Sequence, residues 1–542
     1  MSLILCAGEI LLYWVIGKLR IAVENDCVDE YVKAAACRMN VGVEKIKYVK
    51  TLSKSLDISD KEQFYREVSI VVSAPDDYSN AGNFPEYIEQ FKPARKMPAG
   101  GIRPIIIGFG PAGMFAALEL VERGIAPLIF ERGKKIEERS IDIQRFIDER
   151  VLNPESNIQF GEGGAGSYSD GKLFSRANNS RYVSAVLDTF VKFGAPEEIT
   201  YASKPHLGTD VLCGIVRNIR NYILRKGGEI HYGAKMTDIL ITDGMATGVV
   251  IGGRDEYRSA CIFLAVGHSA RDTFEMIYRK GIGIEQRPIS VGVRIEHPSE
   301  IINLMRHGEK YRNFPGIGAA TYSFANTDRK AGRGVYTFCM CPGGEVVNAS
   351  SEHGMIVVNG MSNSRRESAF SNAAIVVTCH TNDYDSNHPL SGIEFQKDIE
   401  KRAFIAGGER WKVPAQNLAD FMSNRISDNL NKNSCKTGVA PADMYGIFPK
   451  FVCEALFNAF NTWKEKYPLF ISEHAILLAP ETRTTCPLRI QRSQAYESIN
   501  TKNLYPVGEG AGYSGGITSS SADAIKAVEK WINFGDVVSH YA

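Results

Sequence analysis

One stretch constrains the fold of this chain more than any other: Pro104 to Gly133, PIIIGFGPAGMFAALELVERGIAPLIFERG. The apolar run Ile105-Ile106-Ile107 predicts a buried strand. It enters the turn Gly108-Phe109-Gly110-Pro111-Ala112-Gly113, a G-x-G-x-x-G. An Ala- and Leu-rich helix follows, Met114 to Arg123, stopped by Gly124. A second strand, Ala126 to Phe130, ends on Glu131. This is the βαβ start of a dinucleotide-binding domain. Gly108 permits the tight turn, Gly110 lets the backbone approach a pyrophosphate, and Gly113 lets helix and strand pack closely. The helix N-terminus, with Pro111 and Ala112, offers free N–H groups and partial positive charge to phosphates. Glu131 stands where an acid accepts hydrogen bonds from an adenosine ribose.

The totals narrow what surrounds this unit. A length of 542 residues implies two to four domains. With 44% hydrophobic and 23% charged residues the chain is globular, and a net charge of +1 provides no basic field for nucleic acid. Eleven cysteines without a C-x-x-C pair fit reduced thiols in a cytoplasmic protein better than a secreted disulfide scaffold. Leu3 to Leu19 is apolar apart from Glu9, Gly17 and Lys18. It is short for a spanning helix, and a carboxylate at its centre would add a few kcal/mol, about 2.5–3.5 by analogy with Asp. It is therefore assigned to a folded domain or an early-start extension, not to a membrane anchor.

Residues 1–95 predict a small α/β unit of ferredoxin-like kind. Its strands fall at Lys18 to Val23, Ile46 to Leu56 and Arg66 to Ser73, and its helix at Asp29 to Met39. Pro85 to Gly101 follows as a linker. Residues 96–285 and 486–542 form the discontinuous dinucleotide-binding domain. Within it Asn157 to Phe174, NIQFGEGGAGSYSDGKLF, holds Gly161, Gly163, Gly164, Gly166 and Gly171 between aromatic residues, which favours an ordered loop close to a ligand. Helices follow at Arg181 to Phe193 and Gly208 to Lys226. Short strands from Glu229 to Ser259 predict a β-meander. A buried strand, Cys261 to Val266, then returns to the cofactor and ends in Gly267-His268-Ser269. Residues 286–485 mix strands and amphipathic helices and are expected to form an inserted α+β substrate or cap domain.

The second half of the site lies far along the chain, at Asn503 to Trp531, NLYPVGEGAGYSGGITSSSADAIKAVEKW. A strand ends on Gly508-Glu509-Gly510, and a glycine turn through Gly515 and Gly516 runs past Ile517 into a helix. A flavin site closes in this way: the acid takes ribityl hydroxyls and the helix N-terminus faces the flavin pyrimidine. A NAD-only protein has no use for this segment, so the pattern selects FAD. No second strand–GxGxxG–helix unit exists, which leaves NAD(P)H as a transient donor at most.

Taken together, IIIGFGPAGMFAAL, NIQFGEGGAGSYSDGKLF, KPHLGTD, LAVGHSARDTFEM, SVGVRIEHP, FCMCPGGEVVNAS, NGMS and YPVGEGAGYSGGI resemble a largely uncharacterised bacterial family of FAD-dependent dehydrogenases. The resemblance runs from about Ile105 to Lys530. It implies a glutathione-reductase-like, Rossmann-like FAD fold with an inserted substrate domain. It also implies FAD contacts at the Gly108 turn, Glu131, Arg132, the Gly163–Gly166 loop and the Gly508–Ile517 segment. One departure stands out: Thr485-Cys486-Pro487 replaces the usual Ser-Ser-Pro.

Hydride transfer asks little of the protein beyond placement, so catalytic candidates are few. Glu481, Arg483 and Arg489 fall on a strand-like stretch and at period two point the same way. Arg483 then either grips a substrate carboxylate or forms a salt bridge between layers. Lys172, with Asp170, either reaches phosphate or flavin or pairs at the surface. His268 is either an acid at the cofactor or a structural histidine. Cys339-Met340-Cys341 invites a dithiol reading, but positions i and i+2 on a strand share a face and rarely form an unstrained disulfide, and the C-x-x-C or C-x-x-x-x-C that dithiol flavoenzymes carry after the first helix is missing. Tyr336, Phe338 and Tyr513 either line a pocket or pack in the core. No metal-ligand spacing occurs. The expectation is a cytoplasmic FAD-dependent oxidoreductase, a dehydrogenase or reductase of a small molecule. The alternatives are a flavin monooxygenase and a flavin-bearing RNA- or protein-interaction factor.

Overall fold

The computed structural model describes residues 12–74, 78–88, 103–173, 181–328 and 332–539. Met1 to Leu11, Phe174 and most of the expected linker, 89–102, lie outside them. The chain divides into two compact units.

The first unit takes in residues 1–95 together with Pro196–Pro205 and His307–Gly318, two excursions from far along the chain. Its strands Leu12–Ala22, Lys47–Asp57 and Tyr65–Ala74 form one antiparallel sheet with Tyr65–Ala74 in the centre. The helix Val28–Met39 presents Tyr31, Ala35, Ala36 and Met39 to that sheet, the spacing of one helical face. The described residues give βαββ with three strands, not the four-stranded βαββαβ of a ferredoxin-like unit. The returning segment His307–Gly318 packs within this unit: Tyr311 stacks on Phe64 with ring centroids 4.2 Å apart. Leu12 to Leu19, expected within a folded domain, lies in the first strand.

The second unit holds everything else. Five parallel strands run in the order Leu504–Pro506, Ile262–Leu264, Ile105–Ile107, Leu128–Phe130, Glu229–His231. In sequence order this is 5-4-1-2-3, the arrangement of a Rossmann-like sheet. The strands are short, and all but the edge strand Glu229–His231 are buried, so those four appear as plain apolar runs without alternation. The helix Pro111–Val121 is buried on nearly every side because it lies between this sheet and the C-terminal helix Ile517–Ser539. Burying a side chain such as Phe115 or Leu120 there contributes roughly 1.5–3 kcal/mol. The expected meander is present as an antiparallel sheet of Met236–Thr242, Met245–Ile251 and Asp255–Arg258.

The region 286–485 builds a seven-stranded sheet in the order 325–328, 333–341, 370–379, 289–298, 476–481, 413–417, 439–441. All its pairs are antiparallel except Val413–Asn417 with Val439–Pro441. One face carries an extensive apolar core, covered by the helices Ser391–Ala406 and Lys450–Lys466. Among the described residues no helix is long and apolar enough to cross a membrane.

Candidate functional site

At the carboxyl ends of the parallel strands opens a cavity of about 370 Å³. It begins at the switch point between Ile105–Ile107 and Ile262–Leu264, where open α/β sheets hold their ligands. The two distant glycine segments meet there. Gly108, Gly110, Pro111 and Ala112 line one part, and Glu509, Gly515, Gly516 and Ile517 another. Glu131, Arg132, Gly164, Gly166 and Gly267 complete the expected cofactor positions on its wall. Gly113, Gly163 and Gly508 do not line it, because each is a packing position. A Cβ on Gly113 would sit 1.9 Å from the Gly108 carbonyl oxygen, one on Gly163 2.0 Å from Ser167 Oγ, and one on Gly508 2.7 Å from Ala112 Cβ. Gly108 itself has φ +94° and leaves only 2.4 Å between its missing Cβ and the Ala265 oxygen.

Glu131 ties the wall together. Its carboxylate accepts hydrogen bonds from the backbone N–H of Phe109 at 2.7 Å, Gly133 at 2.9 Å and Gly161 at 3.0 Å. Arg132 stacks over the Phe160 ring at 4.1 Å and pairs with Glu155 at 2.6 Å and Asp272 at 2.8 Å.

The glycine-rich loop is ordered by a residue that sequence reasoning missed. Arg139 lies on the helix Ile136–Glu149 and is fully buried. Its guanidinium donates to the carbonyls of Asn157 at 2.8 Å, Ile158 at 2.9 Å, Glu162 at 2.6 Å, Gly164 at 3.0 Å and Gly161 at 3.3 Å. The loop is wrapped around one cation. The signal was present: Ile136, Ile143 and Phe146 mark an apolar helical face, and Arg139 falls on it.

Whether these residues suit a flavin dinucleotide can be judged from the cavity itself. The N-termini of Pro111–Val121 and Ile517–Ser539 both open on it, each with backbone N–H groups free of helical partners. Glu509 lines it, and no hydrogen bond or ion pair within the described residues reaches its carboxylate. Burial first, then the neighbouring Cys339 sulfur, pushes that carboxyl up to about 7. A Cβ on Gly267 or Gly515 would meet nothing within 4 Å. A cavity with donors at two helix ends, an acid that has no partner among the described residues, and bare glycine walls fits FAD.

The catalytic candidates are placed less favourably. Arg483 lines the cavity, but its guanidinium is spent on Glu400 at 2.8 Å, Glu352 at 3.1 Å and Ser351 Oγ at 2.7 Å. Arg271 joins the same carboxylates, Glu352 and Glu400 each at 2.8 Å, so two cations meet two anions and no charge is left for a substrate. Burial alone would raise Glu400, yet Arg271 and Arg483 hold its carboxyl well below the usual range. Arg483 is thus the salt bridge, not the carboxylate grip. Arg489 does not converge with it: the strand ends at Glu481, the chain bends through Thr482 to Pro487, and Arg489 pairs with Glu285 at 3.2 Å. His268 lines the cavity, with Nε2 2.9 Å from the Arg483 carbonyl oxygen. Burial, then the Arg483 charge, lowers its pKa to about 4, so it stays neutral at pH 7 and is not a cationic acid. Cys486 is buried and its thiol is pushed up to about 12 by that burial, which makes it inert. Phe338 lines the cavity, Tyr336 bonds Ser290 Oγ at 2.8 Å, and Tyr513 lies under the Arg492 guanidinium at 3.8 Å.

Lys172 does face the cavity, and it is not surface-paired. Its ammonium donates to the fully buried Asp170 at 2.6 Å and approaches Cys339 Sγ and Cys341 Sγ at 3.9 Å each. Asp170 is held also by Arg366 at 2.6 Å and by the Ser362 hydroxyl. Among the described residues no group of three or more His, Cys, Asp and Glu side chains gathers as a metal site.

Fold and cavity define a class first: a mixed α/β protein with a Rossmann-like sheet. The family follows from likeness in sequence. Residues 288–484 match the family described as FAD-dependent protein, C-terminal domain-like. A Clostridium beijerinckii protein, named only as an uncharacterized protein, is 39% identical over 531 residues, 96% of this chain and 99% of that relative. The chain belongs to this family of FAD-dependent proteins, and FAD is its cofactor. Among solved structures, a halogenase in complex with FAD aligns at 11% identity and a TM-score of 0.37, covering 79% of this chain and 67% of its own. A glycerol-3-phosphate dehydrogenase from Bacillus halodurans, also with FAD, aligns at 10% identity and a TM-score of 0.35, covering 80% and 65%. Likenesses this weak carry no argument about the chemistry of this chain.

Proposed function

We propose that the protein is an oxidoreductase, a dehydrogenase or reductase that moves a hydride between FAD bound in this cavity and a small molecule. The observation that carries the reading is the meeting of both glycine segments, both helix N-termini and the partnerless Glu509 on one cavity wall. In this reading the Gly108 turn and the Pro111–Val121 N-terminus hold the pyrophosphate, and Glu131 and Arg132 border the adenosine half. Glu509 accepts from ribityl hydroxyls, and the Gly515–Ile517 segment borders the flavin ring. FAD supplies the hydride chemistry. The protein supplies placement, charge balance and exclusion of water. The arrangement is of glutathione-reductase type, with residues 286–485 as the substrate-facing insertion. NADH and NADPH are candidate transient donors, as the chain dedicates no second fingerprint to them.

Purified protein should be yellow, with absorbance near about 450 nm. Anaerobic mixing with NADH, NADPH and a panel of reduced metabolites should bleach that band for at least one partner. Protein that stays colourless after incubation with FAD, or bound flavin that no partner reduces, would count against the assignment.

A further inference from the structure

The C-x-C motif at Cys339 and Cys341 takes no part in the reading above, yet Cys339 lines the same cavity and Cys341 is buried behind it. In a regular strand its two side chains would stand apart along one face. This strand is not regular there. Arg333–Cys341 pairs with Phe370–Cys379 in steady register from Val335 to Phe338. The next partner is Cys341 with Asn372, so one extra residue is inserted. Cys339, at that insertion, has φ +43°. The bulge folds the pair together. The Cys341 thiol donates to the Cys339 carbonyl oxygen at 3.3 Å, and both sulfurs lie 3.9 Å from one atom, Lys172 Nζ.

The surroundings are built for a negative charge on sulfur. Lys172 Nζ stands 3.9 Å from each sulfur, and Arg294 Nη1 3.7 Å from Cys341 Sγ. Arg294 is fully buried and is also held by Glu481 at 2.9 Å and Asn372 at 2.6 Å. A Cβ on Gly360 would fall 2.2 Å from Arg294 Nη1 and 2.6 Å from Cys341 Sγ, so the space for this contact exists only over glycine. Three cations, Lys172, Arg294 and Arg366, face two carboxylates, Asp170 and Glu481. One positive charge is left over, and it lies where Lys172 and Arg294 approach the two sulfurs. The hydrogen bond from Cys341, then the Lys172 and Arg294 charges, hold the Cys339 thiol well below its ordinary range. The neighbouring Cys339 sulfur, then burial, push the Cys341 thiol up. Two neighbouring thiols within 4 Å of buried cations, with Cys339 on the cavity, form the arrangement of a reactive pair and not of two packed cysteines.

We propose that Cys339 and Cys341 form a dithiol–disulfide couple that exchanges an electron pair with the FAD held in the same cavity. The step balances within the protein and its cofactor. The Cys341 S–H bond breaks, a Cys339 Sγ–Cys341 Sγ bond forms, and the electron pair passes with the released proton to oxidised FAD, which becomes reduced. The reverse reaction opens the disulfide. Lys172 and Arg294 are positioning residues that hold the thiolate. The proposal rests on the placement of FAD in this cavity.

The test uses intact holoprotein whose flavin content has been fixed beforehand from its visible absorbance, so absence of FAD is detected separately. Protein oxidised with diamide and freed of reagent is titrated anaerobically with dithionite. Wild type should take up about four electrons per FAD before the flavin is fully bleached, and Cys339→Ser and Cys341→Ser about two. In parallel, oxidised wild type is denatured, alkylated with iodoacetamide and digested. The peptide carrying both cysteines should escape alkylation and be lighter by a pair of hydrogens, and dithiothreitol should restore both alkylation sites. This arm needs no variant and so does not depend on how the substitutions fold. Uptake of about two electrons by wild type, equal uptake by wild type and variants, or full alkylation of both cysteines after oxidation would overturn the proposal.

Discussion

Arg139→Met asks most directly whether the glycine-rich loop is held as described. Met keeps much of the length and apolar stem but removes every donor. Of the five carbonyls that Arg139 serves, those of Gly161 and Gly164 also accept from Gly164 N–H and Ser167 N–H. Those of Asn157, Ile158 and Glu162 have no other hydrogen bond among the described residues. Leaving a buried acceptor unmade costs about 1–3 kcal/mol, so three give about 3–9 kcal/mol. Relief from burying a cation returns part of this, which places the net near the lower end. The loop is part of the cavity wall, so the loss should fall on FAD binding: about 3 kcal/mol is roughly a hundredfold in affinity. The assay is reconstitution of apoprotein followed by flavin fluorescence quenching, with limited proteolysis across 157–173 as a local check. Affinity within threefold of wild type and unchanged proteolysis would refute the reasoning, because the loop would then hold its shape without the guanidinium.

The same arithmetic extends to three other positions. Glu131→Ala strips the acceptor from three backbone N–H groups, and FAD affinity should drop at least about tenfold; undiminished retention would remove Glu131 from the site. The Glu509 carboxyl, raised by burial to about 7, must lose its proton to accept a ribityl hydroxyl at full strength. FAD affinity should therefore rise as pH climbs through about 7 and fall below it, by at most about tenfold per unit. Glu509→Gln should flatten that dependence, and a flat wild-type profile would contradict it. Glu400→Gln leaves Arg271 and Arg483 sharing only Glu352 in a buried setting, which should cost about 3–5 kcal/mol; an unchanged urea midpoint would show that the network bears no stability.

What the sequence made legible was local chemistry. The Pro104–Gly133 unit could be read because its roles are fixed within one turn: Gly108 at φ +94°, and Gly113 against the Gly108 oxygen. The C-terminal segment was legible for the same reason, and the two do meet in space. Roles that depend on distant partners were not. Arg139 shows only as a charge on an apolar face until the loop closes on it. The alternation of Glu481, Arg483 and Arg489 failed because the strand stops at Glu481. The C-x-C pair looked unreactive because period-two geometry was assumed, and the inserted residue at Cys339 breaks that period. The strands Val413–Asn417 and Val439–Pro441 contain proline and carry little strand signal, yet they complete an edge of the large sheet.

Gly515→Leu tests most directly whether FAD fills the cavity where the two glycine segments meet. Gly515 lines the cavity, and a Cβ there would touch nothing of the protein within 4 Å. The variant should therefore fold with an unchanged circular dichroism spectrum and unchanged unfolding of the apoprotein, while its side chain occupies space assigned to the flavin. The measurement is the FAD-to-protein ratio after reconstitution and gel filtration. The account predicts a ratio near that of wild type for a control substitution on the surface and near zero for Gly515→Leu. A normally folded Gly515→Leu protein that retains FAD as wild type does would place the cofactor elsewhere.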